Sequence, residues 1–143
     1  MKISIGSDHA GFEYKTALIS FLKELNHTIF DKGTNSTDSC DYPDYAHPVA
    51  NDVENKEADF GVLICGSANG VAMTANKHKD IRAAIAWNRE LAEMARHHND
   101  ANIICIPARY IFIEEAKEIV FAFLKNDFDG GRHLKRVEKI AMS

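Results

Sequence analysis

The chain has 143 residues, which is enough for one domain with its own hydrophobic core. Hydrophobic residues make up 45% of it and charged residues 27%, a balance that excludes a disordered or fibrous protein. The net charge of −4 argues against nucleic acid as the main partner. We therefore expect a single domain over residues 1–143 that does not bind nucleic acid.

In chain order, the predicted elements are a strand over 2–7, a helix over 12–25, a strand over 28–31, a helix over 44–55, a strand over 59–64, a helix over 71–77, a strand over 82–86, a helix over 89–97, a strand over 102–106, and helices over 113–125 and about 132–141. Strands that alternate with helices form right-handed βαβ units around a parallel sheet. The prediction is a single-domain α/β fold, a Rossmann-like three-layer sandwich with a five-stranded parallel sheet flanked by helices.

The apolar and cysteine patterns limit the cellular setting. Neither a leader peptide nor a membrane span is predicted, because no apolar run reaches the necessary length. Cys40, Cys65 and Cys105 are widely spaced and form no C-x-x-C pair, so neither disulfides nor a zinc site is expected. We predict a cytoplasmic protein with reduced thiols, no metal and no membrane partner.

The turn after the third predicted strand carries the strongest indication of chemistry. Residues 65–70 read Cys-Gly-Ser-Ala-Asn-Gly and follow the apolar run 60–64. In a turn of small residues, backbone N–H groups converge on an anion, and the dipole of the next helix adds positive potential. We expect this field to favour the thiolate of Cys65. The alternative is a small buried cysteine that only fills space at a strand end.

Other candidate residues follow the ends of the strands, where open α/β sheets bind ligands. Four stretches are expected to meet there: residues 7–9, residues 65–70, the segment after Ala86 and the segment after Ile106. In the first stretch, Asp8 and His9 lie side by side and suit hydroxyl binding or proton exchange. Asp8 is equally suited to cap the next helix.

The C-terminal third contains an imidazole beside an amide. His98 titrates near neutrality and Asn99 is suited to bind sugar hydroxyls, although both follow a helix and could simply cap it.

The last predicted helix carries a basic face. Arg132 and Arg136 lie four residues apart and share that face with Lys135 and Lys139. Like charges repel unless an anion offsets them, so this face predicts a phosphorylated small molecule. A solvated basic stripe is the alternative. An apolar face of the same helix is predicted from three residues, Leu134, Val137 and Ala141.

Seven blocks of sequence occur in an order that identifies a family. They are residues 6–12 (GSDHAGF), 31–34 (DKGT), 41–43 (DYP), 64–67 (ICGS), 75–77 (ANK), 98–100 (HND) and 130–133 (GGRH). Together they closely resemble the bacterial-type ribose-5-phosphate isomerase B family, which also includes allose-phosphate and galactose-phosphate isomerases. The resemblance covers nearly the whole chain.

The resemblance implies an aldose–ketose isomerase of the non-oxidative pentose phosphate pathway. It would interconvert D-ribose 5-phosphate and D-ribulose 5-phosphate through an enediolate, with neither metal nor cofactor. Cys65 matches the base that moves a proton between C1 and C2, and His98 matches the residue that helps to open the sugar ring. Asp8 would assist ring opening, and the Ser67 hydroxyl would orient Cys65 or relay a proton.

The resemblance also implies how substrate and subunits are held. The implied substrate-binding residues are Asp8, His9, Tyr42, Gly66, Ser67, Gly70, Asn99, Arg109, Arg132 and Arg136. Of these, His9 and the three arginines would hold the phosphate. The implied assembly is a homodimer or a tetramer of dimers, in which two subunits contribute to each site. The helix near 132–141 would serve both the phosphate site and the dimer interface.

Three other functions stay open at this point. An isomerase of six-carbon substrates, such as allose 6-phosphate or galactose 6-phosphate, would share the phosphate-binding residues and differ in cavity length. Asn69, where many family members have a glycine or a small apolar residue, bears on that length. A regulatory module would bind sugar phosphate without turnover. A Cys/His hydrolase would need a histidine adjacent to Cys65.

Overall fold

The structure, a computed structural model, describes residues 1–142. The elements in chain order are β1 (Lys2–Ser7), a 3₁₀ helix (His9–Gly11), α1 (Phe12–Glu24), β2 (Thr28–Asp31), α2 (Pro43–Glu54), β3 (Phe60–Cys65), α3 (Asn69–Ala75), β4 (Ala83–Ile85), α4 (Arg89–His97), β5 (Ile103–Pro107), α5 (Ile113–Lys125) and α6 (Arg132–Glu138). Every predicted strand and helix is present, and β1, β2, α4 and α5 have their predicted bounds. The other bounds differ by one or two residues, apart from α6, which ends three residues before the predicted position.

The five strands form one parallel sheet in the order β2-β1-β3-β5-β4. This confirms the predicted five-stranded parallel sheet. From β1 the chain moves outward to β2 and then crosses back to β3 on the other side of β1. The chain order therefore reverses between β1 and β3, and loops that leave their carboxyl ends diverge to opposite faces and leave a crevice.

Helices cover both faces of the sheet, which confirms the three-layer sandwich. Helices α1, α4 and α5 pack on one face, where they meet Ile64, and α2 and α3 pack on the other, where they meet Leu63 and Cys65. Since side chains alternate along a strand, this places Cys65 on the face that α2 and α3 cover. Helix α6 contributes no buried residue. Across residues 1–142, none of the helices combines the length and the apolar character that crossing a membrane requires.

Candidate active site

A cavity of about 370 Å³ lies at the crevice between the carboxyl ends of β1 and β3. Its lining residues are Asp8, Tyr42, Cys65, Gly66, Ser67, Asn69, Gly70, Met73, Arg109 and Tyr110. Most of them come from the segments after β1, β3 and β5, as the sequence predicts for three of the four stretches, and Tyr42 comes from the loop between β2 and α2. The fourth, after Ala86, contributes none of these residues, since Trp87 meets the cavity only by packing edge-on against Tyr110.

Cys65 ends β3 and is only 5% exposed, at the floor of this cavity. Burial raises the pKa of its thiol, and the nearby carboxylate of Asp8 raises it further. Backbone hydrogen bonds from Val71, Ala68 and Ser67 oppose that rise in pKa but do not overcome it. The backbone donors of the turn therefore favour the thiolate, as predicted, but desolvation outweighs them, so the pKa of Cys65 is raised and the thiol is favoured.

The turn after Cys65 has a tight backbone conformation. Ala68, fully buried, has a φ of +67°, in the left-handed region that L-residues rarely adopt. The N–H of Asn69 donates to the Oγ of Ser67 at 3.3 Å, which closes the turn. The hydroxyl of Ser67 is thereby fixed at the cavity wall next to Cys65.

Two glycines of this turn let larger side chains close over it. A Cβ on Gly70 would lie 2.5 Å from the Tyr42 ring, and one on Gly66 would lie 3.2 Å from Cδ of Arg109. Arg109 is held in place by its own N–H, which donates to the carbonyl of Gly66 at 3.0 Å. The glycines therefore bring a phenol and a guanidinium against the turn, in addition to offering backbone donors.

Asp8 combines the two roles that its position in the sequence allows. Its Oδ1 accepts hydrogen bonds from the N–H groups of Ala10 and Gly11, at 3.0 and 3.2 Å, and so caps the 3₁₀ helix. The carboxyl also lines the cavity. His9 is absent from the cavity lining, and its Nδ1 accepts a hydrogen bond from the N–H of Cys40 at 3.3 Å.

The remaining candidate residues line a second cavity, of about 470 Å³. His98, Asn99, Arg132 and Arg136 line it together with His133, Val137 and Ile140. No residue lines both this cavity and the one around Cys65. Within residues 1–142 of one chain, the structure therefore gathers the candidate residues into two separate groups.

His98 is the C-cap residue directly after α4, and its ring stacks on that of His133 with centroids 4.3 Å apart. The turn that follows is fixed from the core by Arg96. Its guanidinium donates to Oδ1 of Asp100 at 2.9 Å and to the carbonyl of Ala101 at 2.7 Å, while Asp100 has a φ of +46°. A buried arginine therefore determines where the exposed end of α4 presents its imidazole and amide groups.

Helix α6 corrects two expectations. It ends at Glu138 and not near position 141, and the predicted apolar face stays largely at the surface, since Leu134 is 47% exposed and Val137 is half-buried. Val137 lines the cavity beside the arginines, so the predicted separation into a basic and an apolar face does not hold. The reason is that α6 buries no residue against its own chain.

The chain is similar to proteins of known family. Residues 3–140 match a family described as Ribose/Galactose Isomerase. Ribose-5-phosphate isomerase B of Escherichia coli (strain K12) is 42% identical over 97% of this chain and 93% of its own length.

Solved structures agree. Ribose 5-phosphate isomerase of Thermotoga maritima superposes with a TM-score of 0.96 at 46% identity, over 98% of this chain and 97% of that one. Ribose-5-phosphate isomerase B of Mycoplasma genitalium, solved with bound ribulose-5-phosphate, has a TM-score of 0.94 at 42% identity, over 97% of this chain and 93% of that one. The chain belongs to the ribose/galactose isomerase family.

Proposed function

We propose that this protein is an isomerase that interconverts D-ribose 5-phosphate and D-ribulose 5-phosphate. The observation that carries the proposal is a cysteine at the floor of a cavity, beside a hydroxyl, a carboxyl and a guanidinium. Relatives at 42% and 46% identity that are ribose-5-phosphate isomerases support it. One of them, at 42% identity, was solved with ribulose-5-phosphate bound.

In the proposed mechanism, the Cys65 thiolate removes the proton from C2 of the open-chain aldose. The C–H electron pair forms the C1=C2 bond of an enediolate, and the carbonyl oxygen takes up the negative charge. Backbone N–H groups of the 66–70 turn stabilise that charge, while Ser67 relays a proton between the two substrate oxygens. The thiol then returns its proton to C1, which gives the ketose.

The raised pKa of Cys65 has a role in this mechanism. The C2–H group of the substrate is a very weak acid, so a weak base removes its proton slowly. A thiolate whose pKa is raised is a stronger base and removes that proton faster. Its cost is that only a minor fraction of the free enzyme carries the thiolate at neutral pH, because burial raises the thiol pKa. The isomerisation rate therefore rises with pH on the acid side of that pKa.

We further propose that two chains pair so that the second cavity of one closes the first cavity of the other. Neither cavity alone combines the proposed base with the proposed ring-opening imidazole. The exposed apolar side chains Leu134 and Ile140 at α6 offer a surface that such a dimer would bury. In the completed site, His98 and Asp8 open the sugar ring.

The other proposed contacts bind substrate. Asn99 and Tyr42 bind hydroxyls, and Arg109, Arg132, Arg136 and His9 surround the phosphate. Three guanidiniums suit this anion because each can donate two parallel hydrogen bonds to phosphate oxygens.

Six-carbon phosphates are the second candidate substrates, since the matching family is described by galactose as well as ribose. Met73 and Asn69 line the Cys65 cavity and limit its size. The ratio of kcat/KM for ribose 5-phosphate and allose 6-phosphate distinguishes the two substrates. A hydrolase gains no support, because no histidine among residues 1–142 lines the cavity with Cys65.

The proposal is tested by following conversion of ribose 5-phosphate to ribulose 5-phosphate in the presence of a chelator. We expect Cys65→Ala to lower kcat by about 10²- to 10⁴-fold, the contribution of a general base. Cys40→Ser is the matched control, since this thiol lies outside the cavity, and it should keep the wild-type rate. A near wild-type rate for Cys65→Ala would exclude the proposed base. Tight binding of ribose 5-phosphate without turnover by the wild type would instead indicate a regulatory module.

The shared site is tested by mixing two inactive variants, Cys65→Ala and His98→Asn. Random reassociation makes half of the dimers mixed, and each mixed dimer has one intact site, so about a quarter of the wild-type rate should return. If both halves of a site came from one chain, every site in the mixture would be defective and no activity would return.

A further inference from the structure

Three side chains around the second cavity place metal-binding atoms together. His98, Asp129 and His133 each offer one ligand atom, and these atoms all lie within 4.8 Å of one another. The imidazole rings of His98 and His133 are stacked, with centroids 4.3 Å apart and an interplanar angle of 14°, so each ring must tilt out of the stack to direct a nitrogen at a shared ion. Sequence spacing does not indicate this group, because its members come from the end of α4, a loop, and α6.

Small side-chain movements are sufficient to complete a coordination shell. Two ligand atoms about 2.0–2.2 Å from a tetrahedral zinc lie roughly 3.5 Å apart, so the widest gap must close by about 1 Å. The side chain of Asp129 is 52% exposed, and His133 lies on α6, which has no buried residue. Both can move without disturbing the core.

Asp129 is already oriented by a neighbouring histidine. Its Oδ1 lies 2.8 Å from Nδ1 of His97, and its N–H donates to the carbonyl of the same residue at 3.1 Å. Hydrogen-bonded partners of this kind fix the ligands of metal sites and raise metal affinity. Asp129 is therefore attached to the end of α4 through its backbone N–H and through one carboxylate oxygen, and the other carboxylate oxygen is the one left to bind an ion.

The surrounding charges determine which ions can bind. Arg132 and Arg136 line the same cavity and repel cations, whereas Asp129 supplies one negative charge. Ions that depend on charge and oxygen ligands, such as Mg²⁺ and Ca²⁺, are disfavoured, and ions that bind imidazole strongly are favoured.

The geometry points to a binding site for Zn²⁺, or another imidazole-binding divalent transition metal, formed by His98, Asp129 and His133. The protein supplies three ligands and water completes the shell, which is the arrangement of an open zinc site. The ion acts as an inhibitor, because coordination engages the imidazole of His98 that would open the sugar ring. The inhibition rests on the proposed function, whereas the binding does not.

Binding is measured without reference to activity, by titrating the purified wild-type protein with Zn²⁺ and Mg²⁺ in a calorimeter and by following the visible spectrum of bound Co²⁺. We expect one Zn²⁺ per chain and no Mg²⁺ binding. His133→Gln and Asp129→Asn should each weaken Zn²⁺ binding by more than about tenfold, since loss of even an outer-sphere partner costs about 10- to 100-fold. Two variants at exposed or partly buried positions keep the test decisive if one fails to fold.

Two other pairs of side chains serve as controls, because each could bind the same ions: one is a pair of histidines and the other is a cysteine with a histidine. His47 Nδ1 lies 2.8 Å from His78 Nε2, and Cys40 Sγ lies 3.9 Å from His9 Nδ1. His47→Gln and Cys40→Ser should leave Zn²⁺ binding unchanged. If either control variant abolishes binding while His133→Gln retains it, or if the wild type binds no Zn²⁺, the site is wrong.

The inhibition has its own measurement. Zn²⁺ should lower the rate of the wild type, chelator should restore it, and the Zn²⁺ concentration for half inhibition should rise more than about tenfold in His133→Gln, with each variant compared with its own metal-free rate. Zn²⁺ binding without inhibition would disprove the proposed effect on His98 and leave the site standing. Absence of metal-free turnover would contradict the proposed function alone.

Discussion

The two cavities differ in how the fold holds them. The first is built where strands end, with Cys65 and the turn after it packed among buried residues of β3 and α3. The second is built where helices end, and one of its walls is α6, which buries nothing. The proposed base is therefore held by the core, whereas the proposed ring-opening imidazole of His98 and the arginines of α6 are held at the surface.

The largest effect is expected when the two arginines that line the second cavity are replaced, a change that leaves the core intact. Arg132→Ala combined with Arg136→Ala should lower kcat/KM by about 10²- to 10⁴-fold, because each charge-assisted hydrogen bond is worth about 1.5–3 kcal/mol. Most of the change should appear in KM. Lys135→Ala with Lys139→Ala is the matched control on the same helix, since neither lysine lines the cavity. Equal losses from both pairs would mean that general charge, and not the cavity, binds the phosphate.

The second prediction compares a leucine-to-alanine substitution beside the first cavity with one on α6. Leu63 is fully buried beside Cys65, so Leu63→Ala should lower the free energy of unfolding by about 2–5 kcal/mol. Leu134 on α6 is 47% exposed, and Leu134→Ala should change that free energy within one chain by less than about 0.5 kcal/mol. Urea unfolding at several protein concentrations measures both. An equal cost at every concentration would show that α6 packs against its own chain.

The smallest effect concerns the ionisation of Cys65. Only the thiolate reacts with iodoacetamide, and burial raises the pKa of this thiol, so alkylation should need a higher pH than an ordinary thiol with a pKa of about 8.5. Peptide mass spectrometry at a series of pH values reports the midpoint for this residue. Asp8→Asn should move that midpoint to lower pH, because it removes a negative charge that disfavours the thiolate. A midpoint below that of an ordinary thiol would contradict the burial argument.

The sequence predicts the first cavity better than the second. Strands β3 and β5 are nearly continuous apolar runs, and β1 places two isoleucines among small residues, so these strands and the loops after them are visible in the sequence, and with them Asp8, Cys65 and Arg109. The direction of the Cys65 pKa could not be predicted from the turn, since it depends on how many atoms surround the sulfur. The role of Gly70 in admitting the Tyr42 ring likewise depends on a contact distant in sequence.

For the second cavity, the sequence identifies residues but not their arrangement. Arg132 and Arg136 are recognisable by their spacing, whereas the exposure of α6 depends on the absence of a neighbouring element. The stacking of His98 on His133 and the position of Asp129 join three separate segments, so no local pattern encodes them. The sequence does not determine the distances between side chains that belong to different helices and loops.

Because the two cavities of a chain share no residue, the proposed enzyme would obey mass action in its own concentration. In the proposed dimer, an isolated chain would carry every functional group and yet no complete site, so specific activity would fall on dilution below the dimer dissociation constant. Dilution would leave each chain folded, since α6 contributes nothing buried to its own core. A cell that makes very little of this chain would therefore lose catalysis before it lost protein.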